Sequence, residues 1–193
     1  LLIWGWIELA FLSGVITGPE RRPCPPGLTP GDRFFRAWQT VSYHELLLAF
    51  ALLVLVTITR GAENTFAFWT YLILFVARIS AKLNLFFGVP RINTEFVPQP
   101  LAHLKSYFRV GPITLAFPIG ITFLSITAAC FAARLYAANL PGDVIGFALL
   151  TALASLATLE HWLMVVPLPD AKLWRWMLPE TTQYQDKDKT HEL

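Results

Sequence analysis

Eight polar side chains stand inside or at the mouths of otherwise apolar stretches of this chain: Glu8, His44, Glu45, Arg78, Lys82, Asn84, Glu160 and His161. Ionisable groups in a bilayer are costly unless paired or solvated, so a set of them marks a candidate site. Arg78 and Lys82 are four residues apart, on one face of a helix. Glu8, Glu45 and Glu160 offer three negative partners from three other segments. The simplest chemistry is mutual ion pairing that sets helix register, because a lone buried charge is the expensive species. A second is iron or zinc binding by carboxylates and imidazoles on facing helices, with Glu8, His44, Glu45, Glu160 and His161 as candidate ligands. Against it, the doublets His44-Glu45 and Glu160-His161 are adjacent, not spaced as Glu-x-x-His. Helix neighbours point about 100° apart, so both members of a doublet do not easily face one metal. A third is axial ligation of a tetrapyrrole by His44 or His161. A fourth is acid/base catalysis with Glu8 or Glu160 as proton carrier.

Other chemistries are excluded by what is missing. Four histidines (His44, His103, His161, His191) are too few for a histidine-box desaturase. G-x-S-x-G, H-E-x-x-H and P-loop patterns do not occur. Ser80 and Lys82 are two residues apart and so lie on different helix faces, which argues against a Ser-Lys hydrolase pair. A net charge of +2 does not suggest nucleic-acid binding. Cys24 and Cys130 sit in unlike surroundings, a Pro-rich loop and an apolar stretch, so no disulfide is expected.

The elements that must position these groups are long apolar runs. Hydrophobic residues make up 55%, charged residues 15%, and mean hydropathy is +0.52. The usual charged share is about 25%. Five stretches, near 1–17, 41–59, 66–87, 112–138 and 144–168, are read as membrane spans, the first only marginally long enough. The expected fold is therefore all-α: a polytopic transmembrane helix bundle over residues 1–178, then a polar flexible tail over 179–193. The opening run has no Met and no basic leader, which points to further spans preceding it.

Basic residues set an orientation. Arg21, Arg22, Arg33 and Arg36 follow the first run, Arg91, Lys105 and Arg109 follow the third, and Lys172, Arg175, Lys187 and Lys189 lie in the tail. The positive-inside rule puts these segments, and the C-terminal tail, in the cytoplasm. Chain direction then lets the eight polar groups meet in the cytoplasmic half of one bundle. Trp4, Trp38, Trp69, Trp174 and Trp176 fall near the interfaces. GPERRPCPPG (18–27) is an extended basic turn. The segment after it, with Phe34, Phe35 and Trp38 among arginines, is expected to lie on the headgroups. In LAHLKSYFRV (101–110), Leu101, Leu104 and Phe108 share a face, predicting a short interfacial helix. Arg21, Arg22, Phe34, Phe35, Trp38, Lys105 and Arg109 form the candidate docking surface for a partner. Pro118 and Gly120 predict a local kink in the fourth span.

Four blocks carry a resemblance: WGWIELAFLSGVITGPERRPCPPG (4–27), HELLLA (44–49), ARISAKLNLFFGVPRIN (77–93) and LEHWLMVVPLPDAKLWRW (159–176), with LAHLKSYFR (101–109) between them. Together they resemble the photosynthetic complex assembly protein 2 family, the PuhE type, of purple phototrophic bacteria. The resemblance covers all but the tail. It implies a multi-pass protein of the bacterial inner (intracytoplasmic) membrane, encoded with photosynthesis genes. It also implies a part in building the reaction-centre–light-harvesting complex, with reaction-centre or light-harvesting subunits as partners besides the lipid bilayer. It brings no catalytic residues. Three functions follow: an assembly factor that holds a pigment or nascent subunit, a membrane enzyme of (bacterio)chlorophyll or other tetrapyrrole metabolism, or an accessory subunit of the mature complex. Bacteriochlorophyll or haem, and after them iron or zinc, are the cofactors these readings would use. On the pairing reading, Glu160→Gln is more harmful than Glu63→Gln in an outer loop.

Overall fold

The computed structural model describes residues 1–167. The tail at 179–193, the cytoplasmic placement of 169–193, and Trp174 and Trp176 lie outside the described residues. Among the described residues there are five α-helices: α1 (Leu2–Leu12), α2 (Pro30–Ile58), α3 (Phe66–Phe87), α4 (Ala116–Ala137) and α5 (Pro141–Leu163). Helices α2 to α5 are long and apolar enough to cross a membrane. The chain is thus a multi-pass helical membrane protein.

The first apolar run forms a shorter helix than expected. Its 11 residues rise about 16 Å, roughly half of a hydrocarbon layer of about 30 Å. Gly14, at φ +78°, ends it. The Gly14 N–H donates to Phe11 O and the Val15 N–H to Ala10 O (2.9 and 3.0 Å), the two bonds of a left-handed helix stop.

Helix α2 is longer than the expected span, because the aromatic segment does not lie apart from it. The two form one 29-residue helix. Thr29 caps it: its hydroxyl oxygen accepts from the Asp32 N–H (3.2 Å), and Pro30 follows at the first helical position.

The segment Gln99–Tyr107 is a 3₁₀ helix. Three residues per turn place Leu101, Leu104 and Tyr107 on the buried side. Tyr107, not Phe108, therefore completes the stripe, and its hydroxyl donates to Arg22 O (3.2 Å).

Helix α3 is the hub, packing on α2, α4 and α5, while α4 packs chiefly on α5. On one side, Ile7, Leu48 and Tyr71 join α1, α2 and α3, and the Tyr71 hydroxyl donates to Leu48 O (3.1 Å). On the other, Ile73, Phe131, Leu150 and Ala154 form one layer and Ala77, Leu124 and Ala157 another. Small residues at these crossings let backbones approach, which is the main source of helix adhesion in lipid. Both cysteines are free.

Helix α4 runs unbroken through the Pro118–Gly120 stretch at which a kink is expected. Pro118 falls in the first turn, where its missing N–H leaves no broken bond. Gly120 serves contact instead: a Cβ there would sit 2.2 Å from Ser80 Oγ. The Ser80 side chain can rotate away only by giving up its bond to His161, so Gly120→Ala should cost about 1–3 kcal/mol. The Gly120→Ala/Ser80→Ala pair should lose no more than Ser80→Ala alone, whose cost is the Ser80 bond to buried His161, read from thermal unfolding in detergent; an additive pair of losses would count against this contact.

Candidate functional site

A helix advances about 200° in two residues, so α3 sends Arg78 and Lys82 to one flank and Ser80 to the other, with Asn84 one turn beyond Ser80. Seven of the eight polar residues accordingly divide into two groups on opposite flanks of α3, and Glu160 joins neither.

On the α1–α2 flank, five side chains form a continuous line. Lys82 Nζ donates to Glu45 Oε1 in a close ion pair, and lies 3.2 Å from His44 Nδ1. The other ring nitrogen, His44 Nε2, faces Glu8 Oε1 at 3.5 Å, the outer limit of a hydrogen bond. Glu8 Oε2 accepts from Arg78 Nη2 at 2.8 Å. The order is Glu45, Lys82, His44, Glu8, Arg78, drawn from three helices. Two carboxylates balance two cations. His44 is fully buried and Glu45 nearly so. Phe11 stacks on the imidazole, with ring centres 4.3 Å apart, and the His44 backbone N–H meets Thr17 O at 3.1 Å.

On the α4–α5 flank, His161 Nδ1 bonds Ala157 O (2.8 Å), so Nε2 accepts from the Ser80 hydroxyl (2.9 Å). Asn84 Nδ2 donates to Ser80 O (2.9 Å). His161 and Asn84 are fully buried. The partner of Ser80 is thus His161, not Lys82, and the contact ties α3 to α5. Both histidines of the chain's apolar stretches are enclosed with their ring nitrogens turned toward protein groups. Neither offers a tetrapyrrole iron or magnesium an axial position in this arrangement.

The donor set also does not fit a metal. His44 turns its two nitrogens to opposite sides, and cations already hold Glu8 and Glu45. Among the described residues, no three of His, Cys, Asp and Glu gather as ligands.

Glu160 does not join the pairing. It is exposed, on the rims of two cavities that Arg78 also lines, and makes no ion pair among the described residues. The expected penalty on folding for Glu160→Gln therefore falls to the surface range, within about 0.5 kcal/mol. Thermal unfolding of the variant checks this, and a loss of several degrees would restore the pairing role.

One of those cavities, of about 450 Å³, opens beside the polar line. Its walls are mostly apolar: Phe11 and Leu12 of α1, Phe86 of α3, and Leu101, Leu104 and Tyr107 of the 3₁₀ helix. Arg78 and Lys82 stand at its α3 side. This volume is in the range of small-molecule sites. The sequence offered no sign of it, because its lining comes from five separated segments.

The candidate docking residues all lie at the end where α2 begins and α3 finishes, and all are exposed. Phe34 is 44% and Phe35 60% accessible, although Phe34 also meets Phe86 edge-on at 5.5 Å. Arg33 spans this end, donating to Tyr107 O and stacking over Phe86. Burial, and then Arg21 beside it, hold the His103 imidazole below its ordinary pKa.

A family model described as "Protein of unknown function (DUF3623)" matches residues 1–185. A curated protein of Rhodobacter capsulatus, described as "Uncharacterized 30.4 kDa protein in puhA 5'region", is 53% identical over 177 residues. That match covers 92% of this chain, which spans only 65% of the relative's length. No solved structure matches the chain.

Proposed function

The chain belongs to the DUF3623 family, and from that membership we propose that it is an assembly factor for the photosynthetic reaction-centre–light-harvesting complex. It acts in the bacterial inner membrane by holding a pigment or a nascent subunit. The observation that carries this reading is the 53% identical relative, whose description sets it in the puhA 5' region. That agrees with the photosynthesis-gene setting, and with the PuhE-type resemblance, of the blocks at 4–27, 44–49, 77–93 and 159–176. The exposed aromatic and basic end supports a docking role. In lipid, bundles adhere through packing and polar pairing with little hydrophobic drive, and Phe35, Trp38, Arg21 and Arg22 offer both at the interface. Under the positive-inside rule this end is cytoplasmic.

Affinity capture of the full-length protein from phototrophically grown membranes tests the reading, together with an absorption spectrum of the purified protein. Reaction-centre or antenna subunits should co-purify, or a pigment band should appear. Substituting Glu at both Arg21 and Arg22 should reduce capture of any subunit. Neither subunit nor pigment in the preparation would end the proposal.

A further inference from the structure

The 450 Å³ cavity carries an unusual pairing of features: a mostly apolar lining, and two cations of α3 whose charges Glu8 and Glu45 balance, with Arg91 and Glu160, of opposite sign, also on its lining. Glu45 and Glu8, which hold Lys82 and Arg78, do not line it. An ammonium has three donors and a guanidinium five. Lys82 directs two contacts to Glu45 and His44, and Arg78 one to Glu8, while their side chains stay 23% and 32% accessible. Hydrogen-bond donors therefore remain at the cavity wall although no net charge does. Arg78 lies nine residues before the end of α3, about 14 Å into the helix. At that depth an occupant bringing its own charge unbalances a neutral cluster, which is costly. An occupant with carbonyl oxygens accepts the remaining donors at no such cost.

We infer that this cavity binds a neutral, largely apolar small molecule that carries carbonyl oxygens, ester or ketone, turned toward Arg78 and Lys82. Its apolar body lies against Phe11, Phe86, Leu101 and Leu104. Occupancy of the cavity is independent of the assembly reading: the ligand is tested on the protein alone, and the subunit partner by capture.

Photolabelling separates ligand classes. The full-length protein in phosphatidylcholine vesicles is exposed to a diazirine-bearing hexadecanoic acid methyl ester, or to a matched, permanently anionic hexadecyl sulfonate. Labelled peptides are then mapped. The ester should label the stretch 78–108 at least about tenfold more than the sulfonate does. Ala37→Trp and Val97→Trp each place a large ring among the residues that line the cavity, the first from α2 and the second from the loop before the 3₁₀ helix. Each should abolish that labelling and leave the lipid-facing label on Ile119, Phe123 and Ile126 of α4 unchanged, which also reports that the variant is folded. Equal or stronger labelling by the sulfonate overturns the inference. So does ester labelling of 78–108 no higher than that of α4, or labelling that persists in both folded Trp variants.

Discussion

Lys82→Met destabilises the folded bundle by about 3–5 kcal/mol, and adding Glu45→Gln in the same chain recovers most of the loss. The reason is asymmetry. Glu45 is 6% exposed, and its Oε1 meets Lys82 Nζ and faces His44 Nδ1. Removing the ammonium alone leaves a carboxylate beside a ring nitrogen with nothing to balance it. Removing both charges leaves an amide and a thioether, which the surrounding apolar wall tolerates. The same cycle applies to Arg78→Gln against Arg78→Gln/Glu8→Gln, with a smaller single-variant loss because the Arg78 side chain is 32% accessible. Unfolding of purified variants in mild detergent gives all four energies. If each single variant were no worse than its double, the line would not be held by charge pairing.

Gly18→Ala should cost about 3 kcal/mol, the upper part of the overpacking range. A Cβ at Gly18 would lie 1.9 Å from Gln39 O and 2.8 Å from Thr40 C. Those are backbone atoms of α2, which cannot rotate away as the Ser80 side chain can. The loop must lift, and with it go the Thr17 carbonyl that meets the His44 N–H and the Glu20 bond to Arg36. Trypsin should then cut after Arg21 several-fold faster than in the parent, with a lowered melting temperature; the Arg22–Pro23 bond resists it. Unchanged cleavage and melting would show that the loop does not depend on this close approach.

Phe11 shows how little of the site's enclosure is visible along the chain. It is one apolar residue in an apolar run, yet it stacks on His44 and places its ring 5.1 Å beneath Lys82 Nζ. Tyr107 is similar: the α-helical spacing of Leu101, Leu104 and Phe108 is satisfied by the letters, but a 3₁₀ turn selects Tyr107. The choice between these helices rests on what the segment packs against, which local periodicity does not contain.

The sequence by itself determined the class of protein, because hydrophobicity summed over some 20 residues outweighs any local detail in choosing a bilayer helix. It also determined which groups must find partners, since charge type and apolar surroundings are local facts. Tertiary structure alone decided who those partners are. Rotation of α3 turned Arg78 and Lys82 to α1–α2 and Ser80 and Asn84 to α4–α5, and so separated His161 from His44. It left Glu160 on a cavity rim and gave that cavity its walls from five segments. Helix rotation and crossing are set by close packing across the whole interface, and no single segment holds that information.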